Sequence, residues 1–319
     1  MRLCRLMLDG QPTAGFYDEQ FVVPLTAAAE AHAAATGDKL NLPTGDDLLA
    51  LLPPDGAAFA PCRELASWVE ANAAQLPAGA KLATDGVELL VPVPSPRKIF
   101  LLAGNYADHI REGGGVAAER AETFPYVFMK PPTTTLTDPG KPVKIPAISP
   151  DHIDWELELA VVIGKGGKGI QEAEALSHAA GYIVVNDISN RKFRPNPDRK
   201  QRDKDSFFDW LHGKWHDSFC PCGPCIASAD AIPDPQVLPM KLTLNGNTMQ
   251  DASTGQMIFP IAAVIEFISS FVTLEPGDII STGTPAGVGA SSKTFVKPGD
   301  VLEATIGSIG TVRSPVEAE

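Results

Sequence analysis

The chain has 319 residues, 44% of them hydrophobic, and carries 26 Lys and Arg against 39 Asp and Glu, so its formal net charge is −13. This length is enough to bury a large core, and an acidic chain without a basic stripe argues against nucleic acid as a partner. The first residues lack the apolar stretch of a secretory signal, and no segment reaches the roughly 20 apolar residues of a membrane span. We therefore expect a cytoplasmic protein with neither a membrane nor a nucleic-acid partner.

The first 92 residues are interpreted as an accessory segment. Alternating apolar residues over 3–25 predict a pair of strands, and apolar or Ala-rich runs behind them predict three helices. The predicted helices cover residues 26–35, 45–52 and 62–74. The Pro-rich stretch 91–96 is extended, because proline fixes φ and restricts the residue before it. We predict a small N-terminal α/β accessory domain over 1–92 and a second, larger domain over 93–319.

Short strands dominate the second part of the chain. Seven are predicted, bounded by Gly, Pro or Asp, at 98–103, 126–129, 157–163, 183–185, 241–245, 278–281 and 301–306. Asn245-Gly246 predicts a type I′ hairpin turn, and helices are predicted over 260–271 and over 171–180, the latter ended by Gly181. Many short strands with few helices favour a β-rich α+β fold with a curled or barrel-like sheet.

Three acidic residues follow or interrupt the predicted strands. Glu156 and Glu158 lie two positions apart, so in a strand their side chains share one face, roughly 6 to 7 Å apart. Asp187 follows the strand that ends at Asn186, and strand ends are where scaffolds present functional acids. A solvated strand edge and an ordinary turn are the alternatives. Like charges this close repel, whereas Mg²⁺, Mn²⁺ and Ca²⁺ take carboxylate oxygens, so the three predict a divalent-cation site.

A histidine and a glutamate lie together before a flexible segment. His109 and Glu112 are three residues apart, neighbours on one helical turn, and three glycines follow at 113–115. A carboxylate beside an imidazole fixes its tautomer and raises its basicity, which suits a general base. A surface helix whose His and Glu face solvent is the alternative. The three glycines that follow favour a mobile element.

The cysteines at 220, 222 and 225 have the spacing of a redox or zinc motif. A structural zinc site usually needs a second pair, and Cys4 and Cys62 are isolated. The segment is predicted to be a Gly-Pro turn rather than a helix start. We therefore interpret the three as buried thiols.

Several spaced motifs, taken together, resemble the fumarylacetoacetate hydrolase superfamily. The resemblance runs from about residue 94 to the C-terminus, over two thirds of the chain. The motifs stand at 104–109, 156–158, 186–187, 213–214 with 223–224, 273–280 and 282–289. Motifs in the expected order are more specific than any one of them alone.

The resemblance implies a mixed β-sandwich roll and a homodimer. It also implies that Mg²⁺ or Mn²⁺ is held by Glu156, Glu158 and Asp187. His109 and Glu112 would form the general base on a lid helix. The residues implied to act on the substrate are Lys214 in catalysis and Lys130, Arg191 and Thr284 in substrate binding.

The chemistry implied is metal-dependent hydrolysis of a C–C bond in a small 2-oxo or 2,4-dioxo acid, such as an acylpyruvate, through a metal-bound enolate. Water activated by His109 and Glu112 would attack the distal carbonyl. No Gly-x-Ser-x-Gly elbow is present. The alternatives are an oxaloacetate-type decarboxylase, a hydroxy-dienedioate isomerase on the same metal site, and a catalytically idle binding protein.

One segment departs from the superfamily pattern. Where relatives often show Arg-Asp-x-Gln, this chain has Arg191-Lys192-Phe193-Arg194, followed by a long, charged and aromatic stretch over 195–212. Additional positive charge near the site would suit a substrate with an extra carboxylate or one of a different shape. A structural loop held by ion pairs is the other possibility.

Overall fold

A computed structural model describes all 319 residues. Strand outweighs helix, 31% against 24% of residues, which confirms the β-rich α+β class. The strands are β1 (Arg2–Leu8), β2 (Gln11–Tyr17), β3 (Phe21–Pro24), β4 (Leu82–Ala83), β5 (Glu88–Leu90), β6 (Ile99–Ala103), β7 (Tyr126–Met129), β8 (Leu136–Thr137), β9 (Val143–Ile145), β10 (Ile153–Asp154), β11 (Leu157–Ile163), β12 (Ala179–Asn186), β13 (Ser189–Asn190), β14 (Cys220–Ser228), β15 (Pro239–Leu244), β16 (Asn247–Ser253), β17 (Ile279–Ser281), β18 (Val301–Ile306) and β19 (Gly310–Ala318). The helices are α1 (Leu25–Thr36), α2 (Phe59–Asn72), α3 (Ala107–Glu112), α4 (Glu172–Ala175), α5 (Asp205–His212), α6 (Ile261–Phe271) and α7 (Gly289–Ser292).

Two large sheets carry the fold. A twelve-stranded sheet has the order β4-β3-β2-β1-β14-β12-β11-β17-β6-β7, with β5 on β1 and β8 on β14. A five-stranded sheet has the order β16-β15-β18-β19-β9, and β10 pairs with β13. Neighbouring strands are mostly antiparallel, whereas β17 and β6 are parallel. No helix is both long and apolar enough to cross a membrane.

The central strand β11 is buried on both faces. Leu159 and Val161 pack into a core shared with the five-stranded sheet, while Ala160 and Val162 pack into a core shared with α1 and α2. Because side chains alternate along a strand, Glu158 lies on the same face as Ala160. The alternation along β11 therefore fixes the face of the sheet toward which the Glu158 side chain points.

Most predicted elements are confirmed. Asn245 and Gly246 have φ of 51° and 79°, as a type I′ turn requires, and they join β15 to β16. The helix predicted over 45–52 is instead a 3₁₀ turn over Leu48–Leu51. The helix predicted over 171–180 is only α4, a single turn, since β12 already begins at Ala179.

Two further predictions about local structure, at Gly181 and in the cysteine segment, were wrong. Gly181 does not end a helix but lies inside β12, where a Cβ would stand 2.3 Å from the carbonyl oxygen of Ala227 on β14. The cysteine segment is not a turn but the buried strand β14. The three cysteines are free, buried thiols, as predicted, and burial raises the pKa of Cys220 to about 12.

The accessory segment continues the main sheet. Its first strand pairs with β14, with Leu3 opposite Ile226. Its helices pack on the face of the sheet that carries Ala160. The boundary near residue 92 and the homodimer stay predictions.

Candidate active site

Strand register brings the three predicted acids together. Leu157 pairs with Asn186 across β11 and β12, so Glu156 and Asp187, each just outside its strand, become neighbours. The Asp187 N–H donates to the Glu156 carbonyl oxygen at 2.8 Å. All three side chains are buried, and one carboxylate oxygen from each lies within 4.8 Å of the others. Asp187 thus joins two glutamates that lie 31 and 29 positions earlier in the sequence in one carboxylate cluster.

Glu158 shows that the cluster suits a cation. Its Oε2 accepts hydrogen bonds from the Ser281 hydroxyl at 2.6 Å and the Gly283 N–H at 3.0 Å, whereas its buried Oε1 has no hydrogen-bond partner. Burial, together with the neighbouring Asp187 and Glu156, raises the pKa of Glu158 well above its usual value. Three converging carboxylates are a donor set that Mg²⁺ or Mn²⁺ binds, and the unpartnered Oε1 of Glu158 is an oxygen available to such a cation.

Two cationic side chains border the cluster on its open side. Lys214 Nζ donates to Glu156 Oε2 at 2.6 Å and to Asp187 Oδ2 at 2.5 Å. Arg191 Nη2 lies 2.6 Å from Glu156 Oε1. Burial alone would raise the pKa of Glu156, but Arg191 and Lys214 outweigh it and lower that pKa. Burial likewise opposes the charge on Lys214, but Asp187 and Glu156 raise its pKa, so the ammonium group stays protonated.

Lys130 lies behind the carboxylate cluster. Its side chain is fully buried, with Nζ 2.6 Å from Asp187 Oδ1 and donating to the Ile188 carbonyl oxygen at 3.0 Å. It does not line the cavity described below. This placement favours a role in holding Asp187 rather than the substrate contact predicted from the sequence.

The predicted His–Glu pair forms and is tied to the opposite loop. His109 Nδ1 and Glu112 Oε1 are 2.9 Å apart on α3. Glu112 Oε2 accepts the Gly287 N–H at 2.9 Å, and the Gly287 carbonyl oxygen accepts the Trp155 indole N–H at 3.1 Å. With Nδ1–H donating to Glu112, the lone pair of His109 is on Nε2.

A small cavity of about 60 Å³ lies between α3 and the cluster. The predicted site residues that line it are His109, Glu156, Arg191, Lys214 and Thr284. The predicted site residues that do not line it are Glu112, Lys130, Glu158 and Asp187. Small-molecule pockets usually measure roughly 300–1,000 Å³. The cavity is therefore smaller than a typical substrate pocket, and His109 of α3, the helix followed by Gly113–Gly115, forms part of its wall.

Thr284, which the resemblance assigns to substrate binding, lines the cavity, but its hydroxyl is already hydrogen-bonded within the protein. Its hydroxyl donates to the Leu157 carbonyl oxygen at 2.9 Å and accepts from Gln250 Nε2 at 2.9 Å. Both functions of the hydroxyl are therefore used within the protein. The backbone N–H of Thr284 donates to no protein atom, so it is the group that remains for an anion.

Sequence reasoning missed two supporting residues. Asp154 accepts the Gly289 N–H at 2.6 Å and Arg191 Nε–H at 2.7 Å, which orients Arg191 toward Glu156. The alternation of acids at 154, 156 and 158 was a signal for it. Gln250, from β16, accepts the Leu157 N–H at 3.0 Å and donates to Thr284, and no sequence pattern marks it.

The charged segment after Arg191 is held by ion pairs. Arg199 donates to Asp205 at 2.9 Å and to Asp209 at 2.6 Å, both on α5. Lys192 and Arg194 are exposed, and none of these residues lines the cavity. This arrangement favours the structural alternative for the loop over an extra anion site.

The fold, with its buried acidic triad, defines the class of protein to which this chain belongs. The sequence pattern of "Fumarylacetoacetate (FAA) hydrolase C-terminal" matches residues 98–317, and the chain belongs to this family. The named relatives are enzymes, some of them hydrolases and others tautomerases or isomerases.

Particular relatives are similar over most of the chain. A 2,4-didehydro-3-deoxy-L-rhamnonate hydrolase from Sphingomonas sp. (strain SKA58) is 42% identical over 229 residues, 71% of this chain and 75% of that protein. A mitochondrial oxaloacetate tautomerase from Xenopus laevis is 39% identical over 237 residues, 74% of this chain and 70% of that protein. The structure of maleylpyruvate hydrolase from Sphingobium sp. SYK-6 has a TM-score of 0.71 and 30% identity, with 100% of both chains covered.

Proposed function

We propose that this protein is a divalent-cation-dependent hydrolase that cleaves the C3–C4 bond of a 2,4-dioxo acid. The observation that carries the proposal is that His109, paired with Glu112, lines the same cavity as Glu156 and Lys214. A base positioned opposite a carboxylate cluster can activate water toward a substrate bound between them. The name of the 42% identical relative denotes a sugar acid with oxo groups at C2 and C4, which supports this substrate class.

Glu156, Glu158 and Asp187 would hold Mg²⁺ or Mn²⁺. The orphaned Oε1 of Glu158 and the close approach of the three carboxylates support this assignment. A cation bound there supplies Lewis acidity that polarises the oxo groups of the substrate. Lys130 and Lys214 hold Asp187 from two sides and keep its carboxylate in position.

His109 acts as the general base. Glu112 accepts the hydrogen bond from Nδ1–H, so Nε2 takes a proton from water as the oxygen attacks C4. The C3–C4 bond then breaks, C4 becomes a carboxylic acid, and the electron pair passes into the enolate of the released 2-oxo acid. His109 returns the proton to C3, so the reaction consumes one water and forms two acids.

The remaining groups bind and stabilise the substrate. The free N–H of Thr284 and the guanidinium of Arg191 would bind the C1 carboxylate, which is supported by the presence of both residues in the cavity lining. Lys214, protonated and at the cavity wall, stabilises the negative charge that develops on the C2 oxygen. These donors are fixed before the reaction, so they need little rearrangement when the charge appears.

The test is release of pyruvate from an acylpyruvate by the Mg²⁺- or Mn²⁺-supplemented protein. Wild type should release pyruvate, His109→Ala should lose about 100-fold or more in kcat, and His178→Ala, outside the site, should behave like wild type. Failure of the wild-type protein to release pyruvate from any acylpyruvate would overturn the proposal.

Tautomerisation of oxaloacetate is the second candidate, favoured by the 39% identical relative. The same base could move a proton between C3 and the C2 oxygen without breaking a bond to carbon. Enol-to-keto conversion of oxaloacetate, followed by ultraviolet absorbance, separates the two. Rapid conversion that depends on His109, without turnover of any acylpyruvate, would replace the hydrolase with the tautomerase.

A further inference from the structure

The cavity has two chemically different walls. One carries the charged and polar groups already described. The other is formed by Leu102, Ala103 and Gly104 at the end of β6 and by Trp210 of α5. A substrate whose C1 carboxylate and C2 oxygen occupy the first wall directs the group beyond C4 toward the second.

The second wall is fixed in place. The ring of Trp210 packs edge-on against Phe128, with 5.0 Å between centroids and 68° between planes. Gly213 follows the last residue of α5, and a Cβ there would stand 2.4 Å from the Asn190 carbonyl oxygen, so the end of the helix packs directly on β13. Arg199 anchors the same helix through Asp209. The indole is thus a built part of the cavity rather than a loop tip.

Arg191 and Lys214 are the Arg and Lys side chains that line the cavity, and both stand on its charged wall, where they are assigned to the C1 and C2 end of the substrate. Arg191 contacts Asp154 and Glu156, and Lys214 contacts Glu156 and Asp187. The basic residues of the following loop, which suggested an extra carboxylate on the substrate, lie outside the cavity. A second carboxylate placed against the indole and Leu102 would be buried without a partner, which is strongly unfavourable.

From these observations we infer that the group attached to C4 of the substrate is uncharged. The protein selects monocarboxylic 2,4-dioxo acids with a small neutral acyl end and discriminates against those with a terminal carboxylate. This inference rests on the proposed hydrolase function. It also disfavours oxaloacetate, whose C4 is itself a carboxylate.

Two acylpyruvates of equal chain length give the test. Butyrylpyruvate ends in a methyl group where succinylpyruvate ends in a carboxylate. With the Mg²⁺-supplemented protein, kcat/KM for butyrylpyruvate should exceed that for succinylpyruvate by at least about tenfold, the ratio expected when a buried charge lacks a partner. Calorimetric titration of His109→Ala with both compounds gives the binding preference independently of turnover, and the same order of affinity is expected.

A charge placed on the apolar wall should change the preference. Ala103 is partly exposed and lines the cavity, so Ala103→Lys introduces a cation there, and Ala103→Met introduces similar length without charge. The ratio of kcat/KM for succinylpyruvate over butyrylpyruvate should rise at least about tenfold in Ala103→Lys relative to Ala103→Met.

The possible outcomes separate the two proposals. Equal or faster turnover of succinylpyruvate by wild type would overturn the inference and leave the hydrolase in place. Turnover of neither compound would overturn the hydrolase and the inference with it. A preference for butyrylpyruvate in both turnover and binding would support both.

Discussion

Gln250 is predicted to connect stability with substrate binding. Its side chain is 1% exposed and bridges β11 to the turn that carries Thr284. In Gln250→Leu, the N–H of Leu157 and the carbonyl oxygen of Pro285 lose their buried partner. Each buried group left unpaired costs about 1–3 kcal/mol, so we expect the free energy of unfolding to fall by about 3 kcal/mol.

The functional consequence follows from the same contacts. Thr284 keeps its bond to the Leu157 carbonyl oxygen but loses the donor that fixes its hydroxyl, so its free N–H is held less firmly. We expect KM for an acylpyruvate to rise several-fold, about 3- to 10-fold, with a smaller change in kcat.

Denaturant-induced unfolding and steady-state kinetics measure the two effects. Gln171→Leu is the matched control, since Gln171 is exposed and its side chain makes a single hydrogen bond, at 3.2 Å, to the Gly169 carbonyl oxygen. We expect that variant to change stability by less than about 0.5 kcal/mol. If Gln250→Leu were as stable as the control and bound substrate like wild type, the bridging role of Gln250 would be refuted.

Three further predictions concern the cation, the base and the thiols. Saturating Mg²⁺ or Mn²⁺ should raise the melting temperature of wild type, because a ligand at about 100 times its Kd stabilises the folded state by about 2.7 kcal/mol. In thermal-shift measurements, Glu158→Ala should abolish this rise, whereas the control Glu174→Ala, at an exposed position, should keep it. An unchanged rise in Glu158→Ala would contradict the cation site. Glu112→Gln should lower kcat for pyruvate release by about 100-fold, because the amide no longer polarises His109. The control Glu119→Gln, at an exposed position nearby, should leave kcat unchanged. Equal kcat in the two variants would exclude the His109–Glu112 pair as the general base. Burial raises the pKa of Cys220 to about 12, so its thiol is protonated at pH 8. All five buried cysteines should therefore resist alkylation by iodoacetamide at pH 8 until the protein is unfolded, as measured by mass spectrometry. Rapid labelling of the native protein would contradict the burial.

The charged loop illustrates where sequence reasoning left a choice open. The residues from Lys192 onward suggested either an added anion site or a structural loop, because the sequence shows charges but not their partners. In the structure, Arg199 is neutralised by Asp205 and Asp209 on α5, six and ten residues further along. Short-range ion pairs of this kind depend on where a helix begins, which charge patterning alone does not specify.

Local patterns in the sequence were sufficient for several features of this protein. The two-residue spacing of Glu156 and Glu158, the three-residue spacing of His109 and Glu112, and the Asn245-Gly246 turn each depend on backbone geometry over a few residues. Their faces and turn type therefore follow from the residues themselves. The family resemblance then supplied the overall fold, which periodicity could not.

Only the tertiary structure decided how distant residues meet. The register of β11 against β12 places Asp187 beside Glu156. The buried Lys130 forms an ion pair with the carboxylate of Asp187. Gln250 donates a hydrogen bond to the hydroxyl of Thr284, whereas the backbone N–H of Thr284 remains available to an anion. Such contacts depend on strand pairing and on the packing of separate sheets, and a sequence read locally carries no information on which of many possible partners each buried polar group finds.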